Sequence, residues 1–273
     1  MQIEDLHQAN RAGWNEGAEA YEADLIERTE FLRKGGTNFC PPEYRFLQGL
    51  KDWCERAIHL QCAGGTDTLS LWNLGAKSVV GVDISERMLA VAKKKSDALQ
   101  APATWVRADI LQTPHELDTT ADLVYTGRGA LCWIMDIDAW AKVVARLLKP
   151  GGRLYVFEGH PFANIWSLEA DHFELDKDFG DYFNKEPLGD AGWPSTYIGD
   201  LGRAKEEHAI KYERQWTLGE ILNAVIDAGL TLQRVEEHPD SFWESHPNMP
   251  PDALRRIPQT FSLLAVRPLP RPV

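Results

Sequence analysis

From residue 55 onward the chain alternates short apolar runs with longer stretches of helical spacing. Ala57–Leu60 is an apolar run, and Thr66–Leu74 has helical spacing closed by Gly75. Ser78–Val82 (SVVGV) is rich in β-branched residues and reads as a strand. Ser85–Leu99 sets Met88, Leu89, Val91 and Ala92 on one stripe and three lysines on a polar face, with Ser85 as N-cap. Thr104–Val106, Asp122–Thr126 (DLVYT) and Arg153–Glu158 (RLYVFE) predict three more strands. Asp138–Leu148 predicts a helix stopped by Pro150-Gly151-Gly152. Near the end, Thr217–Ala228 is an amphipathic helix ending at Gly229, followed by strands at Thr231–Glu236 and Thr260–Val266.

Strands alternating with helices of this length predict βαβ units, so the expected fold is α/β, a doubly wound, mostly parallel sheet of seven strands. Two segments fall outside the alternation. Residues 1–50 are polar with spaced aromatics and predict one or two helices before Pro41-Pro42; Trp14 and Tyr21, seven apart, share a face there. Residues 161–200 carry nine acids, two lysines and eight aromatics. The expected organisation is one domain over 1–273: a helical cap (1–50), a core (51–160), a lid (161–216), and a helix and strands that complete the core (217–273).

Composition narrows the chemistry. The formal charge is −12, against the basic footprint that nucleic acid requires. No apolar run is long enough to span a membrane. The N-terminus lacks a secretory pattern, and the four cysteines are scattered without a CxxC pair, which suits free thiols and a cytoplasmic location. The His172 cluster with Asp171, Glu174 and Asp176 lacks zinc spacing, so no metal is expected.

In a doubly wound sheet, ligands sit beyond the carboxyl ends of the strands. The first such loop is Gln61-Cys62-Ala63-Gly64-Gly65, whose glycines allow close backbone approach at a helix N-terminus. Asp83 ends the second strand, where a carboxylate can accept both hydrogen bonds of a ribose diol. Asp109 follows the third strand, where it can accept from an adenine amine. The loop lacks the GxGxxG of NAD binders. Together with the Leu148–Gly152 turn (LKPGG), these elements resemble the class I, Rossmann-like S-adenosylmethionine-dependent methyltransferases of small-molecule type. The resemblance is specific over about 50–160. It departs at the first motif, where the family's acid and three-glycine loop are met by His59, Gln61 and Ala63.

The resemblance implies S-adenosylmethionine as cofactor, held by Gln61, Ala63, Gly64, Gly65, Asp83, Ile84, Met88, Asp109, Ile110 and Tyr125. It implies methyl transfer to an O, N or S nucleophile of a small metabolite. A non-catalytic S-adenosylmethionine- or nucleoside-binding regulator, or less readily an NAD-dependent oxidoreductase, are the alternatives. His160, after the fifth strand, is the first candidate base because imidazole titrates near neutrality; Tyr21 is the second. Trp14, Arg128, Trp133 and Trp166 are the candidate acceptor contacts. The lid's acids and aromatics suit an aromatic or cationic small molecule, with no nucleic-acid or membrane partner.

Overall fold

The computed structural model describes residues 1–270. The cap consists of α1 (Ile3–Ala23), α2 (Leu25–Arg33) and α3 (Pro41–Leu47), one helix more than expected. The extra one starts at the proline pair: Pro at the first helical turn loses no hydrogen bond, and the Glu43 side chain accepts from the Cys40 N–H. The core follows as β1 (Arg56–Leu60), α4 (Thr66–Asn73), β2 (Ser78–Asp83), α5 (Glu86–Leu99), β3 (Ala103–Arg107), β4 (Ala121–Gly127), α6 (Ile137–Leu147) and β5 (Leu148–Gly159). The lid contains a short hairpin that its sequence did not announce, β6 (Leu188–Ala191) against β7 (Ile210–Glu213). Then come α7 (Leu218–Asp227), β8 (Thr231–His238), α8 (Pro251–Leu254) and β9 (Thr260–Val266).

Seven strands form one sheet in the order β3-β2-β1-β4-β5-β9-β8. β1 to β5 run parallel, while β9 pairs antiparallel with both β5 and β8. Successive residues point to opposite faces, and both faces are covered. Ile58, Val80, Val124 and Val156 pack under α6 and α7 with Trp140, Val144 and Val225. Ala57, Val79, Leu123, Tyr155 and Phe157 pack on the other face with Leu47 and Leu71 from α3 and α4. β5 begins five residues before the expected strand, because the Pro150–Gly152 turn is absorbed as an irregularity in its pairing with β4.

The helix starts are well specified. Ser85 Oγ accepts from Met88 N–H at 3.1 Å, Asp136 from Ala139 at 2.8 Å, and Thr217 and Glu220 cap α7 reciprocally. One expectation on α5 is corrected. Lys95, assigned to a polar face of three lysines, is only 1% exposed.

Candidate active site

The strand order reverses between β1 and β4, and a cleft of about 390 Å³ opens at the carboxyl ends there. Its floor is the loop after β1. Gln61, Ala63 and Gly65 all take left-handed backbone angles, with φ of 57°, 44° and 75°. Glycine is required at 65: a Cβ there would stand 2.5 Å from the Trp105 ring and 2.6 Å from Ala92 Cβ. Lys95 props the loop from beneath, its ammonium donating to Gly64 O and Thr66 Oγ1, both at 2.8 Å. Burial pulls its pKa down to about 8.

Asp83 stands at the tip of β2. Its Oδ2 accepts from Ala63 N–H and its Oδ1 from Ser85 N–H, both at 2.8 Å, so it joins the loop to the start of α5. Burial pushes its pKa up to about 6, against these backbone donors. Asp109 takes Leu111 N–H at 2.9 Å on one oxygen and His7 Nδ1 at 2.7 Å on the other. His7 Nε2 accepts from Met135 N–H at 3.2 Å, so the ring proton resides on Nδ1 and is donated to Asp109. His59 and Gln61 bring two buried polar atoms that lack protein partners, His59 Nε2 and Gln61 Oε1.

The loop after β4 forms the third side. Glu158 gathers three backbone N–H groups, from Gly129, Ala130 and Leu131, and burial raises its pKa to about 7. Arg128, left-handed at φ 63°, pairs with Asp67 at 2.7 Å and approaches Glu43 at 3.6 Å. The roof comes from α1 (Asn10, Trp14, Tyr21), the lid (Thr196, Tyr197, Ile198) and the loop after β8 (Phe242, Trp243).

Residues 57–152 match a family described as a methyltransferase domain. Over that stretch, from β1 to the turn in β5, the core is similar to methyltransferase domains. It is similar to "Uncharacterized protein YafE" of Escherichia coli (strain K12), 34% identical over 93 residues, which are 33% of this chain and 44% of that protein. It is also similar to a demethylmenaquinone methyltransferase of Bacillus mycoides (strain KBAB4), 37% identical over 106 residues, 38% of this chain and 44% of that one. The chain thus spans less than half the length of these curated relatives. A putative S-adenosylmethionine dependent methyltransferase from Listeria monocytogenes superposes with a TM-score of 0.58 at 22% identity, over 82% of this chain and 97% of that one, a likeness of fold.

The methyltransferase cofactor, S-adenosylmethionine, fits the residues of this cleft. The donor set includes a carboxylate at the β2 tip, a second after β3, and a close-approach loop at the start of α4. The unpartnered Gln61 Oε1 and His59 Nε2 add hydrogen-bonding capacity that the protein itself leaves unused. Of the residues expected to hold the cofactor, Gln61, Ala63, Gly64, Gly65, Asp83, Ile84, Asp109 and Ile110 line the cleft. Met88 and Tyr125 do not. Met88 is wholly buried on α5, and the Tyr125 hydroxyl donates to Glu43 on the α3 side of the sheet.

Trp14, Tyr21, Arg128 and Trp133 line the cleft; Trp166 and His160 lie outside it. Trp166 packs with Phe162 and Phe173 inside the lid. His160 Nδ1 accepts from Phe162 N–H at 3.1 Å while Nε2 bonds Glu237 at 2.9 Å, which fixes the turn into the lid. None of the nine lid acids in 161–200 lines the cleft. Sequence reasoning missed His7, Asn10, Lys95, Phe242 and Trp243. His7 and Asn10 had a signal, since they extend the Trp14–Tyr21 face back along α1 by whole turns. No helix among the described residues is long and apolar enough to cross a membrane, and no group of three or more His, Cys, Asp or Glu there is placed to hold a metal.

Proposed function

We propose that this chain transfers a methyl group from S-adenosylmethionine to an O, N or S nucleophile of a small molecule. The observation that carries the reading is the meeting of Asp83, the left-handed Gln61–Gly65 loop and Asp109 on one cleft at the switch point of the sheet. Asp83 would take the ribose and Asp109 the adenine amine; Gln61 would face the methionyl part. When bound, the cofactor supplies a positively charged sulfur as an already activated leaving group. The chain therefore has to orient the acceptor and exclude water rather than activate the donor. Tyr21 suits that task better than proton abstraction: burial pushes its hydroxyl to about 12, so it keeps its proton. Its ring lies over the floor, where a Cβ on Gly64 would come within 2.7 Å of it.

Calorimetry tests the reading. S-adenosylhomocysteine should bind and NAD should not. Asp83→Ala should weaken binding by about 1–3 kcal/mol through loss of charged hydrogen bonds. Unchanged affinity in that variant would mean that Asp83 serves only the loop and α5. Methyl transfer to an acceptor, measured with labelled S-adenosylmethionine, separates an enzyme from a binding protein.

A further inference from the structure

The roof of the cleft is built of rings. Trp14 of α1 and Trp133 of the loop after β4 meet edge to face, centroids 5.4 Å apart at 78°. Tyr197 of the lid and Trp243 of the loop after β8 meet likewise, at 5.4 Å and 66°. Tyr21 and Phe242 line the same space. Four separate stretches of chain supply these six side chains, so their convergence is a product of the tertiary fold.

The charges around the rings are already answered. Asp83 and Asp109 are engaged as described, and Asp67 accepts from Asn38 at 2.8 Å while pairing with Arg128. Lys95 is spent on the floor. Asp24 and Arg28 are opposite in sign and one helical turn apart. The cation seat on the adjoining tryptophan cluster is filled as well: Lys211 Nζ stands 4.7 Å from the Trp193 ring, which itself packs 4.9 Å from Trp14. Asp83, Asp109, Asp67, Arg128 and Lys95 are each already bonded within the protein, so a charged acceptor gains less from them, and a saturated one would forgo the edge-to-face and stacked contacts that aromatic walls offer.

We infer that the methyl acceptor is an uncharged planar aromatic molecule, recognised by the Trp14–Trp133 and Tyr197–Trp243 pairs. The inference deepens the proposed methyl transfer and rests on it. It is tested by calorimetry on the full chain saturated with S-adenosylhomocysteine, using four probes of one skeleton: 2-naphthol, trans-decalin-2-ol, 2-naphthoate and 2-naphthylmethylammonium. Each aromatic pair adds about 2- to 12-fold in affinity, so 2-naphthol should bind saturably and at least about 5-fold tighter than the other three. Trp133→Leu and, separately, Trp243→Leu should weaken 2-naphthol by about 5-fold while S-adenosylhomocysteine affinity stays within about 2-fold, which also shows that each variant is folded. Equal or tighter binding of the decalin alcohol or of either ion overturns the inference. So does S-adenosylhomocysteine binding without 2-naphthol binding, or an unchanged 2-naphthol affinity in both variants. Failure of S-adenosylhomocysteine itself to bind overturns the functional reading beneath it.

Discussion

Ala63 carries a local conflict that has a definite size. A side-chain-bearing residue in the left-handed region costs about 1–2 kcal/mol, whereas glycine there loses about 0.5–1 kcal/mol through extra freedom in the unfolded chain. The first term is the larger, so Ala63→Gly should stabilise the protein by up to about 1.5 kcal/mol, read as a higher denaturant midpoint with unchanged slope. A lower midpoint would show that the Ala63 methyl makes packing contacts worth more than the strain. Some residues in the cleft were legible from sequence because of where they stand. Asp83 ends a β-branched strand and Asp109 follows one, and position alone assigns them. Lys95 was not legible: its charge argued for solvent, and only the tertiary fold places the Gly64 carbonyl and the Thr66 hydroxyl over its ammonium.

At the scale of elements, α1 is held to the rest by polar contacts of unequal worth. Asn10 is 3% exposed and pairs with the β7 backbone in both directions, Nδ2 to Tyr212 O at 2.9 Å and Tyr212 N–H to Oδ1 at 2.6 Å. Removing it leaves two buried backbone groups unpaired, a cost of about 1–3 kcal/mol for each group left dry. The outer ion pairs of α1, Arg11–Glu86 and Arg87 with Glu19 and Glu22, are partly exposed and each is worth about 0–1 kcal/mol. Asn10→Ala should therefore loosen the cap and the lid hairpin together, while Arg87→Ala changes little. Hydrogen exchange would show it as faster exchange confined to α1, β6 and β7. The helices of the core were readable from their caps and periodicity. The β6–β7 hairpin was not, because its four-residue strands lack a clear alternation and are fixed by Asn10 from another element.

Across the whole molecule, buried acids and buried imidazoles pull the pH response in opposite directions. Glu43 and Glu158 titrate at about 7 in the folded chain and Asp83 at about 6, raised in each case chiefly by burial. Their ordinary values are 4.5 and 3.8. Between the ordinary and the raised value each of these acids holds more proton in the folded chain than in the unfolded one, so its contribution to stability falls as pH rises through that window. The carboxylates lowered by ion pairing, such as Glu86, titrate below the window, whereas His59, His160, His238 and His246, all held down by burial, push stability the other way between their folded values and 6.5. Wild-type protein should lose more melting temperature than Glu158→Gln between about pH 5 and about pH 7.5. An identical loss in both would remove Glu158 from the account. The alternating pattern was enough to read the sheet's strand count, but not why the molecule tolerates so many buried acids. That depends on backbone donors from Gly129, Ala130 and Leu131, which no spacing in the sequence reveals.

The position of β9 has a consequence for synthesis. Residues 260–266 fill the gap between β5 and β8, so neither neighbour has its partner until they arrive. At roughly 5–20 residues per second, some 5–21 s separate the end of β5 from the end of β9 on the ribosome. For that interval the nascent chain carries the unpaired edge of β5, and once β8 emerges it carries a second; the finished sheet covers both. β9 is thus a wedge made after both strands that it separates, and the cell's protection of unpaired strands matters most until it is in place.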